Sequence, residues 1–165
     1  MNPIDWLCRK APGFSDLSIE EREAIMHFSL LWSFFEAEAL DTSASASGIL
    51  ALTHEWASRN RLHIQPFAKS LAYFQSRYFQ YGEPTEYFRG LNLRRNDNPA
   101  LVSAVLKGEN TNHADRVAVL LIIVLRLRNN LFHGVKWAYG IRGQLANFTN
   151  ANVALMAALE THKNL

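Results

Sequence analysis

The sequence predicts an all-α fold, a single-domain bundle of about five to six helices that takes in residues 1–165. Apolar residues recur every three or four positions along several stretches, which is the spacing of a buried helix face. Helix-capping residues precede these stretches, and no stretch alternates apolar and polar residues between turn signals as a strand would. With 48% hydrophobic residues, the chain is too apolar to be disordered and long enough to bury one core.

The helices can be placed in order along the chain. Ser18 and Glu21 match a capping box that starts the first long helix, which we expect to end near Leu40. Further helices are predicted at 48–60, 66–81, 98–107 and 112–134, and a last one is capped by Thr149 or Asn150. The polar stretch 83–97, which follows a Gly-Glu-Pro break, is expected to be irregular. The helix at 112–134 is apolar all round in its middle and is therefore expected at the centre of the bundle.

Charge and cysteine content limit the function classes. A net charge of +2 does not indicate nucleic-acid binding by overall electrostatics, so such a function would need a local patch. The single cysteine, Cys8, excludes an internal disulfide and is typical of a reducing compartment. The longest apolar run, Val117–Leu125, falls well short of the ~20 residues of a membrane span, and the amino terminus has no signal-peptide pattern. We therefore expect a cytoplasmic protein without membrane association.

Polar side chains interrupt the apolar helix at its carboxyl end: Arg126, Arg128, Asn129, Asn130 and His133. On a helix, Asn129 and Arg126 each share a face with His133. Arg128 lies ~140° away from His133, so its long side chain or a loosened last turn would be needed to bring the two together. One interpretation is structural, because cations and a His-Gly pair at a helix end offset the dipole and cap the helix.

The other interpretation of this cluster is a metal-independent ribonuclease centre. Cleavage of RNA through its own 2′-hydroxyl needs proton transfer, which histidine performs near neutral pH, and charge neutralisation, for which the arginine fork matches phosphate oxygens. Asparagine can orient either the histidine or the substrate. The remaining histidines show no ligand spacing with Cys, Asp or Glu, and no phosphate-binding glycine loop is present, so we expect no metal and no cofactor.

Two segments resemble a known family. Residues Arg128–His133, Arg-Asn-Asn-Leu-Phe-His, match the R-N-x-x-x-H form of the R-x(4–6)-H signature of HEPN domains. Gly134 matches the glycine that often follows in the Apea-like branch. Far upstream, Phe28–Glu36 is similar to the F-x-x-L-W-x-x-F-E helix of that same branch. Both segments lie on predicted long helices, as the family requires.

The resemblance implies a HEPN-like bundle that pairs two copies, with the arginine and histidine of each facing a cleft at the dimer interface. Active members are RNA endonucleases, often toxins or antiphage effectors, and a neutralising antitoxin protein is then a further expected partner. In such an enzyme His133 would transfer protons, Arg128 would bind the phosphate, Asn129 would orient one of them, and transesterification would leave a 2′,3′-cyclic phosphate. Other members are silent modules that bind nucleotide, RNA or protein, and a purely structural dimerisation domain is a third hypothesis.

Two interpretations are open for several further residues. Glu36 is either a helix-end carboxylate that reaches solvent or a partner that orients Arg128 or His133, and the resemblance favours the second. Additional RNA contacts are predicted at Arg126, Asn130, Lys136, Arg94 and Arg95. The alternative for the arginines is a solvated surface, since arginine is mostly exposed in folded proteins.

Overall fold

The computed structural model describes residues 2–134 and 141–163, and these form eight α-helices, a 3-10 turn and a two-stranded hairpin. The helices are α1 (Pro3–Lys10), α2 (Ile19–Ala39), α3 (Ala46–Ser58), α4 (Gln65–Tyr78), α5 (Glu86–Arg89), α6 (Pro99–Leu106), α7 (His113–Phe132) and α8 (Leu145–Lys163). The strands are β1 (Phe79–Gln80) and β2 (Glu83–Pro84), and the 3-10 turn is Arg95–Asp97. The predicted all-α class is confirmed.

Helix α7 is the central element of the bundle, as its all-round apolar sequence predicts. Every residue from 117 to 127 is buried, including those on opposite sides of the helix. Helix α3 packs along α7, and α4, α6 and α8 also contact it. Helix α2 packs against α8 instead and so forms an outer layer. The buried helix fixes the backbone positions from which the polar side chains at its carboxyl end project.

The apolar stripe of α2 is the main contact between that helix and the core. Phe28, Trp32 and Phe35 are buried, and the Phe28 ring lies 5.0 Å from that of Phe148 on α8, centroid to centroid. The capping box at the start of α2 is formed as predicted, because the Ser18 hydroxyl accepts from the Glu21 amide and the Glu21 carboxylate accepts from the Ser18 amide. The start and the buried face of this helix therefore agree with the sequence pattern.

Short elements account for the difference between the predicted and the observed helix count. Helix α1 was not predicted; Asn2 caps it and Pro3 occupies its first turn. Helix α5 and the hairpin lie within or beside the stretch expected to be irregular. Tyr81 and Gly82 both have positive φ, which is the geometry of a tight two-residue hairpin turn. Each of these elements is too short to show a periodic apolar pattern.

Helix α8 begins at Leu145, about one turn before the predicted caps Thr149 and Asn150. The Gln144 carbonyl accepts from the Phe148 amide at 3.0 Å, and the Asn147 side chain donates to the Gln144 side chain at 2.6 Å. Polar side chains thus support the first turn without a Ser or Thr cap. Among the described residues, no helix is long and apolar enough to cross a membrane.

Candidate functional site

A cleft of about 350 Å³ opens between α2 and the carboxyl end of α7. It is lined by Ser29, Leu30, Trp32, Ser33 and Glu36 from α2 and by Arg128 and Phe132 from α7. Residues from the Phe28–Glu36 segment and from the Arg128–His133 segment thus form opposite walls of one cleft. This proximity is a property of the fold, because the two segments are separated in sequence by most of the bundle.

Arg128 is the cation of this cleft. Its Nη2 lies 3.5 Å from Oε2 of Glu36, and its Nη1 donates to Oδ1 of Asn129 at 3.0 Å. The guanidinium carbon lies 5.9 Å from the ring centroid of Trp32 and 5.6 Å from that of Phe132, within cation–π range. The side chain is still 30% exposed. Arg128 is therefore oriented by four neighbours while part of its guanidinium faces the cleft, where it can meet an anion.

Glu36 lies beside Arg128 and is not free in solvent, as the interpretation of Glu36 as a partner of Arg128 requires. Its side chain is 19% exposed, and its Oε2 also accepts from the indole Nε1 of Trp32 at 2.8 Å. The other oxygen accepts from the Ala44 amide at 3.4 Å. These donors explain how a carboxylate is tolerated next to the apolar face of α2. Sequence reasoning missed the Trp32 contribution, for which the i, i+4 spacing of Trp32 and Glu36 is the available signal.

His133 is the C-cap of α7, and its amide donates to the Asn129 carbonyl at 2.9 Å. Gly134 follows with φ +75°, the left-handed conformation that ends a helix and favours glycine. The predicted helix end is confirmed. The helix is regular through Phe132, so the last turn is not loosened. The His133 side chain is exposed, does not line the cleft of Arg128 and makes no hydrogen bond or ion pair within the described residues.

Arg126 and Asn130 do not have the RNA-contacting positions that the sequence suggested. Arg126 is 3% exposed; its Nε donates to the Leu91 carbonyl at 3.2 Å and lies 3.6 Å from Asp97 Oδ2. Burial lowers the Arg126 pKa, and the Asp97 carboxylate opposes that shift. The Asn130 amide, also buried, donates to the Gly90 carbonyl at 3.1 Å. Both side chains hold the loop after α5 against α7. Because they are buried in these contacts, the prediction that they bind RNA is corrected to a structural role.

Arg94 and Arg95 are exposed, as a phosphate contact requires, but they lie on the loop that Arg126 anchors. Arg126 and Arg128 differ by about 200° around the helix, so this loop lies on the side of α7 away from the cleft. Within one chain the structure does not bring these two arginines beside Arg128. Lys136, the remaining predicted contact, lies outside the described residues.

An exposed apolar surface borders the cleft. Met26, Leu30 and Phe34 project from α2 at intervals of four residues, and Leu30 is 65% exposed. Phe132, at the end of α7, is also exposed and lines the same cleft. We call these four side chains the apolar rim. Large apolar groups clustered on a surface are typical of a protein contact.

The described residues contain no group of three or more His, Cys, Asp or Glu side chains arranged to hold a metal ion. The side chains that line the cleft supply a guanidinium, a carboxylate and the hydroxyls of Ser29 and Ser33, and the His133 imidazole lies outside it. Comparison with known proteins finds no family model, no curated protein and no solved structure that matches the chain.

Proposed function

We propose that the protein is a metal-independent RNA endonuclease of the HEPN type. The observation that carries the proposal is the partly exposed guanidinium of Arg128, which Glu36 and Asn129 hold in a cleft formed by the two HEPN-like segments. A fixed arginine fork is suited to two oxygens of a phosphodiester. RNA carries such a group at every linkage, together with the 2′-hydroxyl that can attack it.

In the proposed reaction the 2′-oxygen of the substrate attacks the neighbouring phosphorus and the bond from phosphorus to the 5′-oxygen breaks. His133 takes the 2′-hydroxyl proton as the 2′-oxygen attacks and gives it back to the leaving 5′-oxygen, and imidazole suits both tasks near neutral pH. Arg128 neutralises the charge that develops on the phosphate oxygens. The products are a 2′,3′-cyclic phosphate and a free 5′-hydroxyl, and no metal or cofactor takes part.

The proposed enzyme contains two copies of the chain. Within one copy the cleft of Arg128 lacks His133, so a complete set of groups needs a histidine from elsewhere. We propose that a second copy covers the apolar rim and that His133 of one copy reaches the Arg128 cleft of the other. In an isologous contact both copies would contribute in the same way, giving two equivalent sites. A role as a toxin or antiphage effector, restrained by a neutralising protein, belongs to the same proposal and rests on the resemblance alone.

A silent HEPN module that binds nucleotide, RNA or a protein partner is the second candidate. It is favoured by the exposed position of His133, whose side chain has no described partner to orient it. Such a module would use Arg128 and the apolar rim for binding and would leave RNA intact.

The test is incubation of the purified protein with mixed RNA in excess chelator. The proposal predicts cleavage, cyclic-phosphate ends, and a loss of about 10²- to 10⁴-fold in His133→Ala. His113→Ala is a matched control, because His113 is exposed at the opposite end of the same helix. Binding of RNA without cleavage by the wild type would instead support the silent module.

A further inference from the structure

A second polar cavity of about 370 Å³ lies on another side of the bundle. It is bounded by α4, α5, α7 and the first turn of α8, and Leu127 of α7 forms part of its wall. Its chemistry-bearing residues are Arg77, Tyr78, Tyr87, Gln144 and Asn147, with Glu86 also on the lining. It shares no lining residue with the Arg128 cleft, and the proposed ribonuclease mechanism does not use it.

Arg77 is the cation of this second cavity. Its guanidinium carbon lies 4.3 Å from the ring centroid of Tyr87, so the aromatic ring fixes where the charge sits. Arg77 forms no ion pair with a carboxylate of the described residues, Glu86 included. Its Nε is buried and has no hydrogen-bond partner among the residues that the structure describes. A buried donor on an unpaired cation is unfavourable, and an anion that accepts from it would remove the penalty.

The groups around Arg77 are neutral hydrogen-bonding groups. Burial raises the pKa of both Tyr73 and Tyr78, although the neighbouring Arg77 opposes the shift, so both phenols keep their protons at neutral pH. Asn147 is 3% exposed and is held by the Tyr73 hydroxyl, which donates to its Oδ1 at 2.8 Å, and by its own bond to Gln144. An amide held in this way points in a fixed direction. The cavity thus combines an arginine that has no carboxylate partner among the described residues with neutral hydrogen-bonding groups, of which the Tyr73 and Tyr78 phenols also interact with Arg77.

We propose that this cavity binds a phosphate group, with Arg77 as its charged ligand and Tyr78 and Asn147 as neutral donors. A phosphate has more acceptor oxygens than a carboxylate and can use the fork of an arginine and hydroxyl or amide donors together. The first turn of α8, which Asn147 belongs to, adds the positive end of a helix dipole at the same wall. The phosphate is either the free inorganic ion or the phosphate of a nucleotide.

The experiment measures binding by calorimetry to three probes at matched pH and ionic strength: inorganic phosphate, adenosine monophosphate and acetate. The proposal predicts saturable binding of at least one phosphate-bearing probe and weaker binding of acetate. Affinity for adenosine monophosphate about tenfold or more above that for phosphate would identify a nucleotide as the source, and similar affinities would identify the free ion.

Four variants locate the binding site. Arg77→Gln should lose about tenfold or more in affinity, and Arg77→Lys, which keeps the charge without the fork, should lose less. Arg89→Gln, an exposed arginine of α5 that does not line the cavity, is the control for charge alone, and Arg128→Gln excludes binding in the other cleft. Circular dichroism of each variant verifies the fold. The proposal is overturned if neither phosphate probe saturates, if acetate binds equally well, or if a folded Arg77→Gln binds like the wild type.

Discussion

The buried ion pair between Arg126 and Asp97 sets the stability of the loop beside α7, and Asp97→Asn tests this role. The Nε to Oδ2 distance is 3.6 Å and both side chains are almost fully buried. At an effective dielectric constant of about 20, two charges at this distance attract by about 4–5 kcal/mol. Removal of one partner from a buried pair costs a similar ~3–5 kcal/mol, because the other charge is left uncompensated.

Asparagine keeps the shape of Asp97 and the oxygen that accepts from the Arg94 amide at 2.7 Å. We therefore expect the low end of that range, a loss of about 3 kcal/mol in the free energy of unfolding. For a chain of this size the loss corresponds to a melting temperature lower by about 6–12 °C.

Urea and thermal denaturation measure the effect, with Asp5→Asn on the exposed surface of α1 as the control. A second substitution, Arg126→Met, should recover at least half of the loss in Asp97→Asn, because it removes the stranded charge and fills its space with an apolar chain. A loss below about 0.5 kcal/mol in Asp97→Asn, the usual size of a surface substitution, would refute the reasoning.

Three further predictions concern other parts of the fold. Burial raises the pKa of Tyr78, so above about pH 10 the phenol loses its proton in the unfolded chain before it does so in the folded protein. The free energy of unfolding therefore falls as the pH rises. In alkaline denaturation, Tyr78→Phe should make this fall less steep by up to ~1.4 kcal/mol per pH unit. Glu21→Gln should cost about 1–3 kcal/mol in urea denaturation, because the buried Glu21 carboxylate accepts from the amides of both Ser18 and Gly143. If Arg128 binds the scissile phosphate, Glu36→Gln should slow RNA cleavage by about 10- to 100-fold in a fluorogenic assay by loosening the arginine.

The starts of α2 and α7 were predictable from the sequence because a local side chain forms each cap. Ser18 and Asn112 both accept from the amide three residues on, as their spacing indicated. The start of α8 was not predictable, because Gln144 and Asn147 do not form a recognised capping pattern in the sequence. Local capping chemistry can be inferred from neighbouring residues, whereas support by unusual polar pairs becomes visible only in three dimensions.

For the polar residues at the end of α7, too, the sequence predicted local geometry but not long-range contacts. Helical spacing put Arg126 and His133 on one face, but it could not show that the loop carrying Asp97 covers Arg126. That contact joins segments that are distant in sequence, and the spacing of residues along one helix gives no information about it. The pairing of Glu36 with Arg128 could be anticipated only through the resemblance, since the two residues are remote in sequence.

The most direct test of the proposed two-copy ribonuclease is a mixing experiment with Arg128→Ala and His133→Ala. Each variant alone should be inactive on RNA in excess chelator. If one copy supplies Arg128 and the other His133, an equal mixture that exchanges subunits should recover about a quarter of the wild-type activity, because half of the dimers are mixed and each holds one intact site. A mixture that stays inactive, with subunit exchange verified by native mass spectrometry, would contradict the composite site. Full activity in either single variant would contradict the ribonuclease assignment itself.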